Sequence, residues 1–126
     1  MPKKVLLVED DPGARRLVEF TLQQAGFEVV MAKDGKEGLK VAQNEQPDAI
    51  IMDVMMPMMG GYEACLRLKE IPTTAHIPVL ILTAKVQPAE KTYSTMAGAD
   101  DFLTKPAEPD VIVARVKKLL ETHRVA

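Results

Sequence analysis

The sequence predicts an α/β domain built on a parallel sheet that is covered on both faces. Three observations predict it. Short, continuous apolar runs recur along the chain, as in strands buried on both sides. Segments with apolar residues at helical spacing separate them. Strand and helix alternate five times, and right-handed crossovers then divide the helices between the two faces. A chain of 126 residues suits one domain, 1–126, that buries its core without staples.

The elements follow in order. Residues 4–8 form a first strand, short and rich in Val and Leu. Asp11-Pro12-Gly13 starts a helix, with Asp11 as N-cap and Pro12 at a first helical position. Leu17, Val18, Thr21, Leu22 and Ala25 fit one face of it, and Gly26 stops it. Phe27 to Ala32 is the second strand. Asp34-Gly35 opens a second helix with Leu39, Val41 and Ala42 inward, and Pro47-Asp48 ends the connection. Residues 49–53 form the third strand, and Pro57 with Gly60-Gly61 marks a loop. A helix through Ala64, Leu66 and Leu68 follows, then a polar connection between Pro72 and Pro78. Residues 79–83 are the fourth strand, and a helix runs from near Pro88 to a C-cap glycine, Gly98. Phe102 to Lys105 is the fifth strand, and the last helix carries Val111, Ile112, Val116, Leu119 and Leu120 on one stripe.

Bulk properties narrow the function. The chain is 47% hydrophobic and 27% charged, ordinary for a globular protein. A net charge of -2 argues against direct nucleic-acid binding, which recruits basic patches. Cys65 is the only cysteine, so no internal disulfide forms. No apolar stretch approaches a membrane span, and the amino terminus lacks the apolar core of a signal peptide. The expected location is cytoplasmic.

Function should gather beyond the carboxyl ends of parallel strands. There the apolar runs give way to Glu9-Asp10, Asp53, Thr83 and Lys105-Pro106. Clustered carboxylates repel one another unless a cation sits among them, and a hard ion such as Mg²⁺ suits them. A carboxylate such as Asp53 can attack phosphorus, provided its developing charge is neutralised by a cation and by positioned donors. Thr83 offers a hydroxyl and Lys105 an ammonium at matching strand ends. Pro106 restrains the lysine backbone before it.

The ordered set Val8-Glu9-Asp10-Asp11, Asp53-x-Met55-Met56-Pro57-x-x-Gly60-Gly61, Thr83-Ala84 and Lys105-Pro106 resembles the receiver domain of two-component response regulators. The resemblance spans nearly the whole chain and looks like a single-domain chemotaxis-type receiver. It implies a flavodoxin-like doubly wound sheet of five parallel strands, order 2-1-3-4-5, with five helices, an order for which the same family supplies a standard example. It implies that Asp53 accepts a phosphoryl group from a histidine kinase or histidine phosphotransfer protein. Asp10 and Asp53 would ligate Mg²⁺ directly, Glu9 through a water, and Met55 by its backbone carbonyl. The Thr83 hydroxyl, the Ala84 backbone and Lys105 would bind phosphate oxygens, while Asp11 stays a helix cap. Thr83 and Phe102 would form the switch, Phe102 turning from exposed to buried, and the output would be altered binding of a downstream protein. The domain would not be an enzyme beyond its own phosphorylation and dephosphorylation. A homodimer through the fourth helix, fifth strand and fifth helix is implied by Ala99-Asp100-Asp101 and Ala114-Arg115-Val116.

Some features depart from the pattern or compete with it. Ala107 stands where phenylalanine is common in relatives, and Gly60 where an acid is common. Met55 cannot orient a water, and Lys85 would shield the phosphoryl group, so slow self-dephosphorylation is expected. The methionines between 52 and 59 pack rather than bind metal, and His76 and His123 lack ligand spacing. Three alternatives stand beside the stand-alone switch. One is the receiver part of a longer DNA-binding transcription factor. A second is a Mg²⁺-dependent aspartyl-phosphate phosphohydrolase, disfavoured because Met55 sits where such enzymes carry a second aspartate. A third is a nucleotide- or flavin-binding domain, disfavoured because Glu9-Asp10-Asp11-Pro12-Gly13 is no glycine-rich phosphate loop.

Overall fold

A computed structural model describes residues 2–56, 59–84 and 87–122. Strand and helix alternate as β1 (Lys4–Val8), α1 (Pro12–Gln24), β2 (Glu28–Ala32), α2 (Gly35–Glu45), β3 (Ala49–Asp53), α3 (Gly61–Glu70), β4 (Val79–Thr83), α4 (Ala89–Met96), β5 (Asp101–Thr104) and α5 (Pro109–Thr122). All strand pairs are parallel, in the order β2-β1-β3-β4-β5. This is the flavodoxin-like doubly wound sheet that the family resemblance implies.

The three central strands carry unbroken apolar runs, 5–8, 49–52 and 79–82, because both their faces are covered. Alternate residues go to opposite sides. Leu6, Val8, Ile50, Met52 and Ile81 pack in one core with α2 and α3, joined by Ala97 just past α4. Val5, Leu7, Ile51, Leu80 and Leu82 pack in the other with α1 and α5. Leu6, Leu7, Ile50 and Ile51 are fully buried, and removing such a side chain from water contributes about 1.5–3 kcal/mol.

The edge strands differ by one residue from expectation. Strand β2 begins at Glu28, because the Phe27 N–H donates to the Leu22 carbonyl at 3.1 Å and so belongs to the end of α1. Strand β5 begins at Asp101 and ends at Thr104, leaving Lys105 just beyond it. Two residues assigned to apolar helical faces, Leu17 and Val111, are exposed. They lie at the margin of their helical stripes, where spacing alone does not separate inside from outside. Gly26, with φ +95°, follows the α1 C-cap Ala25, and Gly98, with φ +86°, follows Ala97 at the end of α4. Asp11 and Asp34 cap α1 and α2 as expected, each accepting a backbone N–H at 2.8 Å.

Candidate functional site

The register sets the carboxyl ends of β1, β3, β4 and β5 side by side. Val8 pairs with Met52, Asp53 with Leu82, and Thr83 with Thr104. One residue past β1 is Glu9, whose N–H donates to the Ala32 carbonyl at 3.1 Å. Asp53 is the last residue of β3, and Lys105 follows β5, its N–H donating to the Thr83 carbonyl at 2.6 Å. The sheet thus brings together residues that are 96 positions apart in the chain.

A compact ionic centre results. Carboxylate oxygens of Glu9, Asp10 and Asp53 lie within 4.8 Å of one another. Glu9 and Asp53 are each 4% exposed, whereas Asp10 faces solvent. The Lys105 Nζ reaches between the two buried acids, at 2.8 Å from Glu9 Oε1 and 3.3 Å from Asp53 Oδ1. Burial, followed by the neighbouring Asp53 carboxylate, pushes the Glu9 carboxyl above its ordinary range, against the pull of Lys105. Burial alone would lower the Lys105 ammonium, but Glu9 and Asp53 together outweigh it and hold it above the usual lysine value. The cluster is therefore short of positive charge, since three carboxylates share one ammonium.

Glu9 is also the mechanical hub. Its Oε2 accepts the Asp11 N–H at 3.2 Å, and its backbone carbonyl accepts Arg15 Nη1 at 3.1 Å. Arg15 is a site neighbour that sequence reasoning missed. It lies in the first turn and a half of a helix whose start had been found, but only the fold shows that its side chain turns back to β1. The Met55 N–H lies 3.4 Å from Asp53 Oδ1, and the Met55 side chain is exposed. Thr83 is fully buried at the end of β4, and Ala84 beyond it is exposed. Phe102 is half-buried and packs against the core on the α3 side of the sheet. The Lys105–Pro106 peptide is cis. Pro57, Lys85 and His123 lie outside the described residues.

The carboxyl edge opens onto an apolar groove of about 330 Å³ between α1 and the start of α5. Leu17, Val18, Ala107 and Ile112 line it, with Glu9, Ala84 and Lys105 at its inner end. The small side chain of Ala107 helps keep it open.

The donor set fits a hard divalent cation. All three candidate donors are carboxylates, oxygen ligands of the kind Mg²⁺ takes, and their excess negative charge needs a counter-ion.

The family model described as the response regulator receiver domain matches residues 5–117. The chain belongs to the response regulator receiver family. The receiver is 40% identical over its full length to the alkaline phosphatase synthesis transcriptional regulatory protein PhoP of Bacillus subtilis, covering 52% of that protein. It thus spans about half the length of this curated relative. The chemotaxis response regulator CheY4 of Vibrio cholerae superposes with a TM-score of 0.88 at 36% identity, over 94% of this chain and 99% of that one. The receiver domain of the sensor histidine kinase PA1611 of Pseudomonas aeruginosa superposes with a TM-score of 0.88 at 26% identity, over 96% and 99% of the two chains. That structure is described with a magnesium ion coordinated in its active-site cleft. Receiver domains are signalling switches of two-component systems, typically phosphoproteins that use magnesium. Among the described residues, no helix is long and apolar enough to cross a membrane.

Proposed function

We propose that residues 1–126 form one receiver domain that accepts a phosphoryl group on Asp53 and responds by altered partner binding. The observation that carries this reading is the placement of Asp53 itself. It is a buried carboxylate at a strand end, beside one ammonium and two further carboxylates. An Asp53 oxygen attacks phosphorus, an O–P bond forms, and the N–P bond to the donor imidazole breaks with its electron pair leaving on nitrogen. That nitrogen then takes a proton from water. The Lys105 ammonium, already 3.3 Å from Asp53, moves with the transferred group and binds one of its oxygens. The Thr83 hydroxyl and the Ala84 N–H bind others.

Asp10, Asp53 and the Met55 carbonyl would hold Mg²⁺ directly. Both Glu9 oxygens are already engaged, by Lys105 and by the Asp11 N–H, which suits a role through water. When bound, the ion supplies charge neutralisation for the phosphoryl oxygens. Thr83, drawn toward the phosphoryl group, and Phe102, closing behind it, then shift the population of two arrangements. The protein catalyses only its own phosphorylation and its loss, and Met55 beside Asp53 makes the loss slow. Lys85 would add to this by shielding the group. The donor would be a histidine kinase or phosphotransfer protein, and the location cytoplasmic.

The output face would be α4, β5 and α5, where a second copy could dock. Three of its charges are already spoken for within the chain. Arg115 Nη1 meets Asp101 at 2.9 Å, and Asp100 Oδ2 accepts Lys69 and the Val79 N–H at 2.9 and 2.8 Å. A dimer using these charges would therefore have to exchange the half-buried Arg115–Asp101 pair or the ties of Asp100. A second reading is that the domain is the receiver part of a longer DNA-binding regulator. It rests on the half-length match to a transcriptional regulatory protein.

Intact-protein mass after incubation with Mg²⁺ and acetyl phosphate tests the main reading. One added phosphoryl group is expected in wild type, with none in Asp53→Ala and none without Mg²⁺. An equal adduct in Asp53→Ala would overturn it.

A further inference from the structure

Helix α4 buries polar groups where the other helices bury apolar ones. Its buried residues are Glu90 and Ser94. Glu90 is 4% exposed, and among the described residues no cation lies within ion-pair distance of it. Its partner is Tyr62 in the first turn of α3. The Tyr62 hydroxyl donates to Glu90 Oε1 at 2.7 Å and lies 3.2 Å from the Glu90 carbonyl. Burial and the adjoining carboxylate push the phenol up to about 12, so it remains a proton donor. The Ser94 hydroxyl lies near enough to act on the phenol but makes no hydrogen bond of acceptable geometry. Tyr93 stands edge-on to Tyr62, with ring centroids 5.9 Å apart.

Both ends of this bond are tied to the site. Tyr62 follows Gly61, whose N–H donates to the Val54 carbonyl at 3.2 Å and whose missing Cβ would lie 2.2 Å from the Asp53 carbonyl oxygen. No other residue lets α3 start so close to Asp53. Glu90 stands a short connection beyond Thr83, in the first turn of α4. A buried carboxylate with a phenol as its partner is costly to keep from water. Such a polar tie, unlike a packed apolar face, is one that water can replace, as a bistable element requires.

We infer that the Tyr62–Glu90 hydrogen bond is a latch on α4 that reports the separation of Asp53 and Thr83. The inference rests on the proposed phosphorylation of Asp53. When Thr83 is drawn toward a phosphorylated Asp53, Glu90 is displaced and the anchored Tyr62 is not. The bond opens, Glu90 turns to water, and the first turn of α4 loosens. The latch therefore opposes phosphorylation, and removing it makes the activated arrangement easier to reach.

Amide hydrogen exchange across residues 89–96, with and without Mg²⁺ plus beryllofluoride, tests this in wild type, Tyr62→Phe and Glu90→Gln. Tyr62→Phe should exchange fast without any addition, at the level wild type reaches only with beryllofluoride. Its beryllofluoride affinity should rise by about tenfold to a hundredfold, the worth of one hydrogen bond to a charged group. Glu90→Gln, which is easier to bury, should do the opposite: slower exchange and weaker beryllofluoride binding. Exchange in Tyr62→Phe no faster than in wild type, or beryllofluoride affinity unchanged or weaker, would overturn the latch, as would Glu90→Gln that behaves like Tyr62→Phe. Wild type that binds no beryllofluoride would overturn the phosphorylation reading instead. The exchange of unliganded Tyr62→Phe would still decide the latch.

Discussion

Helices α1 and α4 each follow a strand whose end belongs to the site, yet they are held in different ways. Helix α1 has 13 residues, a side-chain N-cap from Asp11, and Val18 and Leu22 in the core. Its first turn is bonded to Glu9 through both Asp11 and Arg15. Helix α4 has eight residues and no side-chain bond at its N-cap, Pro88, and it buries a carboxylate and a hydroxyl. The first arrangement fixes the acid pair in place. The second leaves a short helix attached through a polar bond that water can compete for. One site thus has a rigid wall and a movable one, and the transmitted signal should leave by the second.

Mutations can break or sharpen that contrast. The largest expected effect is in the rigid wall. Leu22 is fully buried, so Leu22→Ala should cost about 2–5 kcal/mol by urea denaturation. No single truncation inside α4 should match it. Gly61→Ala comes next, because the new Cβ meets the Asp53 backbone at 2.2 Å. A loss of about 1–3 kcal/mol is expected from such overpacking, with a weaker Mg²⁺-induced rise in Tm because Asp53 is displaced. Asp11→Ala removes the α1 cap and should cost about 1 kcal/mol by urea denaturation, with Mg²⁺ affinity little changed because the backbone N–H that Glu9 accepts is retained. At the small end, Ser94→Ala removes a buried hydroxyl that makes no hydrogen bond. It should leave stability unchanged or raise it by up to about 1 kcal/mol, the reverse of the usual effect of a buried truncation.

A pH scan adds a check on α3, the helix that holds Tyr62. Burial raises the Cys65 thiol to about 11, from an ordinary value of 9.0. Between those values the unfolded chain has lost the thiol proton and the folded chain keeps it. The contribution is fully present below about 9 and declines as pH rises toward 11. A thiol reagent should likewise react slowly with native protein at pH 8 and rapidly in denaturant. Fast native labelling would show that α3 opens more readily than its packing implies.

Much of this was legible in the residues. The strands at 4–8, 49–53 and 79–83 announce themselves because both faces are buried and their apolar runs, 5–8, 49–52 and 79–82, are unbroken. The strand-end rule then brings Glu9, Asp10, Asp53, Thr83 and Lys105 to one edge, as the structure shows. The edge strands were less clear, since β5 is only half-buried and β2 exposes Glu28 and Met31. The Tyr62–Glu90 pair was invisible. Its partners are 28 residues apart on different helices, and a glutamate at the start of a helix ordinarily signals a solvated first turn. Asp100, assigned to a charged partner face, instead bonds within the chain, to Lys69 and the Val79 N–H. Sequence patterns carry apolar burial well, but polar burial depends on which elements meet.

The central claim is that Asp53 carries the phosphoryl group. An acyl phosphate is reduced by borohydride to an alcohol, so phosphorylated protein treated in this way should carry homoserine at position 53, located by fragmentation mass spectrometry. Homoserine there, dependent on Mg²⁺ and the phosphodonor, is the expected result. Homoserine at position 10 instead, or an unmodified Asp53 in protein whose mass shows a phosphoryl group, would contradict the account.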